Sequence, residues 1–379
     1  MTLWRVIMMS AVLLVIVNIQ QAQAARSADD YVMISYHDVV DSTVTPDLDI
    51  YSQTITRGRL VEHFNLIALG GYQPVSLQQI IDAKAGRQPL PEKAVLLTFD
   101  DGYRSFYDIV FPLLKLYDFP AVQAVVGSWL DVPAGGQVPY GKINLPRERF
   151  LSWEQVKTLD ESPLVEIASH TYNLHYGAVG NPMGNEQAAA VTSIWNAGNG
   201  YESEADYIER IRNDMARTQQ QFQEKIGKGP RVMVWPYGAY SEATLNIASE
   251  YGMKYTFSLL GEPNRLNDSM RSMNRFLIDQ ETTLETIEEI LSNRLWETEE
   301  QRIVHVDLDY VYDPDPIQQE QNLDRLIERI SRYGVSTVYL QAYSDPDGDG
   351  VADELYFPNR HLPVRADLFN RVAWQLKKR

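Results

Sequence analysis

The chain contains no cysteine among its 379 residues. That excludes a disulfide framework, a thiolate metal site and a cysteine nucleophile. It also excludes a lipid anchor attached through cysteine. Basic residues are in short supply: 34 Lys and Arg stand against 51 Asp and Glu, for a formal net charge of −17. A surface of that sign repels phosphate backbones, which argues against a nucleic-acid partner. Histidine is scarce, with six residues, and any metal ion must be held by these imidazoles and by carboxylates. No repeat of fixed period is present. What remains is a globular composition, 44% apolar and 11% aromatic, which excludes wholesale disorder and suits one large domain or two ordinary ones.

A long apolar run occurs only at the start. Trp4 and Arg5 precede an apolar stretch over 6–19, interrupted by Ser10 and Asn18, and Ala22-Gln23-Ala24 follows as a small-x-small site. This pattern reads as a secretory signal peptide over 1–25. The alternative is a membrane anchor, but the run is shorter than the ~20 residues of a span. The expectation is an exported, periplasmic chain that is not a lipoprotein and has no transmembrane segment in its mature form.

The remainder alternates β-rich runs (31–36, 94–99, 121–126, 164–168, 231–235, 253–259, 303–308, 336–340) with amphipathic helical patterns (57–69, 203–226, 241–251, 282–295, 317–333). Such an order implies parallel strands wrapped by helices, an α/β fold. In the first helix Leu60, Phe64, Ile67 and Ala68 share a face. The 131–149 stretch, rich in Pro and Gly, and the 177–200 stretch, rich in Gly, Asn and Ala, read as long loops. They are lids or substrate-contacting loops, or else solvated insertions. The ETEEQ segment at 297–301 reads as a linker, after which a new strand-helix-strand unit begins at Ile303.

Four polar groups each follow directly on an apolar strand: His37-Asp38, Asp100-Asp101-Gly102, Ser169-His170 with His175 beyond, and Trp235-Pro236-Tyr237-Gly238. In α/β barrels the carboxyl ends of the strands converge on one face, where active sites lie. Adjacent carboxylates repel, so the Asp pair needs a cation or a helix start to offset it. A helix N-cap would account for one Asp but hardly for both. The five-residue spacing of His170 and His175 does not place both imidazoles on one helix face, so a loop or distorted turn carries them. One carboxylate and two imidazoles leave a coordination position open for water, as in catalytic zinc sites; iron, cobalt or nickel would suit the same donors. His37 has the pKa range of a general acid at neutral pH, with Asp38 able to orient it; the alternative is a surface loop histidine. The Tyr237 backbone N–H can serve as an oxyanion donor, or the segment is a stiff aromatic turn.

These residues resemble the polysaccharide deacetylase family, carbohydrate esterase family 4 or NodB homology. Thr98-Phe99-Asp100-Asp101-Gly102 matches its first motif, which implies Asp100 as general base and Asp101 as a metal ligand. His170-Thr171 with His175 is similar to its second motif, one residue longer than the common form, and implies two metal-binding imidazoles. In its third motif, Arg-x-Pro-Tyr-Gly, Val234 occupies the Arg place while Pro236, Tyr237 and Gly238 match. The late Leu-x-His motif that usually supplies the acid is missing. Ser35-Tyr36-His37-Asp38, the lengthened Ser169–Tyr176 segment and Trp235–Tyr240 resemble the subgroup acting on poly-β-1,6-N-acetyl-D-glucosamine in biofilm exopolysaccharide export. There the acid comes from the N-terminal strand, which maps to His37.

The resemblance implies a distorted (β/α) barrel deacetylase domain over 26–300 that removes acetyl groups from N-acetylglucosamine units of an exported polysaccharide. It implies one divalent metal ion, zinc by default, and an outer-membrane export partner. In this reading Asp101, His170 and His175 hold the metal, and Asp100, His37 and the Tyr237 N–H do the chemistry. A glycosidase acting through carboxylates alone, a carbohydrate-binding or export scaffold, and a deacetylase of chitin-type or peptidoglycan substrate are the rival readings. Residues 301–379 resemble the start of a glycoside-hydrolase-like (β/α) barrel. About 75 residues remain against ~250 for a complete barrel, so this second barrel is expected to be incomplete and its hydrolase activity doubtful. Asp307 and Asp309 are its candidate sugar contacts. Asp345, Asp347, Asp349 and Gly350 resemble half a calcium loop, but Tyr356 stands where the bidentate Glu belongs, so a solvated acidic turn is the alternative. Trp129, Trp153 and Trp235 offer sugar-stacking faces or core packing. The excess negative charge would retain a cationic, deacetylated product.

Overall fold

The computed structural model describes residues 29–41, 53–180, 182, 184, 186–294, 302–346 and 350–378. The leader at 1–25, the 297–301 linker, and Asp347 and Asp349 lie outside the described residues. Contacts divide the chain into two compact units, one of residues 1–173, 215–238 and 248–295, the other of 174–214, 239–247 and 296–379.

The first unit is built on β1 (Asp30–Tyr36), β2 (Ala94–Phe99), β3 (Ala121–Val125), β4 (Val165–Ser169), β5 (Val232–Val234) and β6 (Tyr255–Phe257). They lie side by side in the order β1-β2-β3-β4-β5-β6, every pair parallel. A short segment ending in β7 (Phe276–Leu277) closes the curled sheet. It bridges Phe257 through Met273 on one side and runs parallel to β1 on the other, with Ile34 beside Phe276. Ser258 N donates to Met273 O at 2.8 Å, and Ile278 N donates to Ser35 O at 2.9 Å. The result is a distorted barrel, irregular where this closing strand makes few ladder bonds.

Side chains alternate with the period of two that a strand imposes. Met33, Leu96, Val122, Ala124, Ala168, Val232, Val234, Phe257 and Met273 share one buried cluster inside the ring. Val32, Ile34, Val95, Leu97 and Phe99 pack outward against Leu60, Phe64 and Ile67 of α1 (Arg57–Leu69). Thr56 caps α1 by accepting from Arg59 N at 3.1 Å. The buried face of α1 includes His63, and Ala68 is exposed. Carrying the inward parity past the strand ends places His37, Asp100 and His170 on the inner face of the barrel mouth.

Both long stretches read as loops are structured instead. Strands Gln137–Tyr140 and Ile143–Pro146 form an antiparallel hairpin whose Val138 and Leu145 are buried. Buried Arg147 pins it by donating to the backbone carbonyls of Leu130, Val132, Phe150 and Leu151 at 2.8–3.0 Å. In the second unit, Gly177–Val179 pairs with Glu186–Ala188 and Trp195–Asn196 with Gly200–Tyr201. There Arg210 does the pinning. It grips Glu202 at 2.8 Å through two nitrogens and also holds the carbonyls of Ala189 and Thr192.

The second unit also contains β8 (Ile303–Asp307), α2 (Pro316–Arg332), β9 (Thr337–Gln341) and α3 (Leu368–Lys377). The two strands are parallel. Leu308, Val311, Leu323, Ile327, Tyr356, Leu368 and Val372 form their core. Among the described residues two parallel strands pair here, against the eight that a complete (β/α) barrel uses. No described helix is long and apolar enough to cross a membrane.

Candidate active site

Three strand ends turn sharply on a residue other than glycine in the left-handed region: Asp101 (φ 71°) after β2, Thr171 (φ 69°) after β4 and Tyr237 (φ 59°) after β5. Each such turn costs about 1 kcal/mol, and packing must hold it. Gly102 (φ +75°) and Gly238 (φ +67°) complete two of the turns, and a Cβ on Gly238 would lie 2.6 Å from Leu259 N. The strain therefore gathers where the polar residues do.

Asp100 is fully buried, and its charge is answered by an arginine that sequence reasoning did not single out. Arg275, wholly inaccessible, comes from the closing segment and donates to Asp100 Oδ1 at 2.7 Å and Oδ2 at 2.9 Å. It also donates to Ser35 Oγ, Thr98 Oγ1 and Ser258 O at 2.9–3.1 Å. Burial alone would raise the Asp100 pKa, but the Arg275 and His170 charges outweigh it and hold the carboxyl below its ordinary range. A signal for Arg275 exists in the alternation, since Met273 faces inward and residue 275 shares its parity.

Asp101, His170 and His175 each bring one ligand atom within 4.8 Å of the others. His170 Nε2 faces Asp101 Oδ1 at 3.4 Å, while its Nδ1 lies 2.7 Å from Val234 O. A carbonyl can only accept, so Nδ1 carries a proton, and in the neutral imidazole Nε2 presents its lone pair to the cluster. Val234, in the place of the motif arginine, thus contributes through its backbone. Burial works against the charged form of His170, but the Asp101 hydrogen bond and the Asp100 and Asp101 charges raise its pKa overall. The 170–175 segment forms no helix, as its spacing implies. Tyr140, on the hairpin, donates to Asp101 Oδ2 at 3.1 Å.

His37 is buried, and among the described residues its Nδ1 has no hydrogen-bond partner. Burial lowers its pKa. The Asp101 and Asp100 charges oppose that, and the His170 and Arg275 charges reinforce it, so His37 lies within electrostatic reach of all four groups. Among the described residues no hydrogen bond joins Asp38 to His37. Asp38 accepts from Ser105 Oγ at 2.7 Å and pairs with Arg149. Trp129 and Trp235 are buried in the core and offer no sugar face, whereas Trp153 is half-buried with Nε1 on Asp131 at 3.2 Å. In the second unit Asp307 Oδ1 accepts from Asp309 N at 2.9 Å. Asp309 is held by Ser344, Tyr356 and Arg365. Of the acidic turn, Asp345 Oδ2 accepts from Gly350 N at 3.0 Å.

Residues 87–256 match the family described as polysaccharide deacetylase. A solved de-N-acetylase structure from Aggregatibacter actinomycetemcomitans is 44% identical, with a TM-score of 0.65; the match covers 69% of this chain and 100% of that one. The chain belongs to the polysaccharide deacetylase family. A deacetylase domain from Bordetella bronchiseptica is 38% identical over 67% of this chain and 97% of its own, with a TM-score of 0.59. The poly-β-1,6-N-acetyl-D-glucosamine N-deacetylase of Escherichia coli strain K12 is 44% identical over 352 residues, which is 92% of this chain and 51% of that protein. The chain thus spans about half the length of the curated relatives it matches. Residues 305–379 match a family described as hypothetical glycosyl hydrolase family 13.

Deacetylases of this family use a divalent metal ion, and the donor set here fits one. A carboxylate and two imidazoles converge, one imidazole has its tautomer set by a backbone carbonyl, and no thiolate is needed.

Proposed function

We propose that the chain is a metal-dependent N-deacetylase, a hydrolase of the acetamide C–N bond in poly-β-1,6-N-acetyl-D-glucosamine destined for the biofilm matrix. The observation that carries this reading is the Asp101–His170–His175 cluster beside a buried aspartate held ionised by Arg275. Residues 26–300 form the deacetylase part and 301–379 the start of a glycoside-hydrolase-like barrel that engages the polymer. The leader pattern supports export to the periplasm, and the resemblance to the exopolysaccharide-export subgroup supports an outer-membrane export partner.

Asp101, His170 and His175 would hold the ion, with zinc the default. Bound there, it would acidify a water and polarise the acetamide carbonyl. Asp100 accepts the proton of the attacking water, and Arg275 keeps it ionised for that task. The Tyr237 N–H donates to the oxyanion that forms on the carbonyl oxygen. His37 rests neutral, because burial lowers its pKa, and it passes the proton collected by Asp100 to the departing amine nitrogen. One water is consumed per acetate and free amine released.

The test is acetate release from β-1,6- and β-1,4-linked N-acetylglucosamine oligomers with and without a chelator, alongside the metal content of Asp101→Asn and His170→Gln. The expected result is chelator-sensitive release from the β-1,6 series and loss of metal and turnover together in both variants. Chelator-resistant turnover, or full metal occupancy in both variants, would overturn the ligand assignment.

A further inference from the structure

We propose that Tyr140 is a positioning residue for the metal-ligating carboxylate of Asp101. The inference rests on the metal-site reading above and adds to it the group that aims one ligand. The two Asp101 oxygens are differentiated: Oδ2 accepts from the Tyr140 hydroxyl at 3.1 Å, and Oδ1 faces His170 Nε2 at 3.4 Å. A carboxylate tethered at Oδ2 turns Oδ1 toward the imidazoles and presents one oxygen to a cation. The left-handed backbone of Asp101 sets where its side chain leaves the chain, but not the rotation of the carboxylate about its last bond. A fixed hydroxyl supplies that constraint.

Tyr140 is suited to it because its own position is over-determined. It ends a hairpin strand pinned by Arg147. Its ring packs on Trp129 at 5.5 Å and on Tyr103 at 6.3 Å between centroids. Tyr103 is buried and stacked on Phe150 at 5.2 Å. The packed core thus fixes the Tyr140 ring through Tyr103 and Trp129, and the Tyr140 hydroxyl carries that order to the ligand. This also gives the 131–149 insertion a function: it carries the hydroxyl to the barrel mouth.

The experiment uses the full chain, stripped of metal and titrated with Co(II), read by its visible d–d absorption and by competition for affinity. Phe replaces Tyr at 140, which keeps the ring and removes only the hydroxyl. Groups that orient metal ligands are worth about 10- to 100-fold in metal affinity. Tyr140→Phe should weaken Co(II) binding by that factor and change the band shape, with the thermal midpoint near wild type. Co(II) affinity within twofold of wild type and an unchanged spectrum in Tyr140→Phe would overturn the proposal. Failure of the wild-type chain to bind Co(II) would instead overturn the metal-site reading, so the two failures are distinguishable.

Discussion

Replacing Arg275 with Met is the most demanding perturbation of the site. Met keeps an unbranched stem that reaches about as far as the arginine Nε and removes the guanidinium with its charge and donors. Arg275 is wholly inaccessible and makes five side-chain hydrogen bonds, two of them to Asp100, which is itself 1% exposed. Breaking a buried ion pair from one side leaves an uncompensated charge and costs about 3–5 kcal/mol. Set against ordinary domain stabilities of about 5–15 kcal/mol, that is a large fraction. In urea melts at pH 7 the midpoint should drop by an amount equivalent to those few kcal/mol. Acetate release should fall about 10²- to 10⁴-fold, the usual contribution of a general base, because an unpaired buried Asp100 takes up a proton. The decisive comparison is the double variant Arg275→Met/Asp100→Asn. Removing both charges leaves none stranded, so the double variant should be more stable than Arg275→Met alone. A single variant that loses under about 1 kcal/mol, or a double variant less stable than the single, would refute the pairing argument.

His63 is buried against Tyr36, whose hydroxyl lies 3.2 Å from its Nδ1, and burial first and the Arg59 charge second push its pKa down to about 4. An unfolded imidazole titrates near 6.5, so between these values the unfolded chain binds more protons. The contribution to stability is full above pH ~6.5 and is lost as the pH falls toward 4, by about 1.4 kcal/mol per unit and about 3 kcal/mol in all. In His63→Gln the fall in stability between pH 6.5 and 4 should be shallower by that amount, and an unchanged slope in melts across this range would count against the assignment. Arg147→Met should cost at least about 3 kcal/mol by stranding charge-assisted bonds to four carbonyls. It should also expose the 131–149 hairpin to limited proteolysis; wild-type resistance to protease would show that the hairpin is held by something else.

The site was legible wherever chemistry sat at the end of a strand long enough to show a pattern. β1 and β2 are continuous buried runs, so His37 and the Asp pair could be placed at their ends, and the His170–His175 spacing already spoke against a helix. Arg275 was not legible by the same route. Its strand contributes two residues to the ladder, too few for a run to stand out. What Asp100 requires is a buried guanidinium within hydrogen-bond reach, and the closing strand, adjacent to β1, supplies it from the other side. Val234 in turn keeps a duty that any residue can perform, offering its carbonyl to His170. The 131–149 stretch reads as a loop because it is rich in Pro and Gly, and the 177–200 stretch because it is rich in Gly, Asn and Ala. Yet the Gly residues serve the turns, with Gly141 at φ +58°, and Arg147 and Arg210 face inward onto carbonyls. A guanidinium has five donors in a fixed fork, so it can tie several strands of irregular backbone at once. In this chain the arginines that matter most are those that sequence patterning sends to the surface and folding places within.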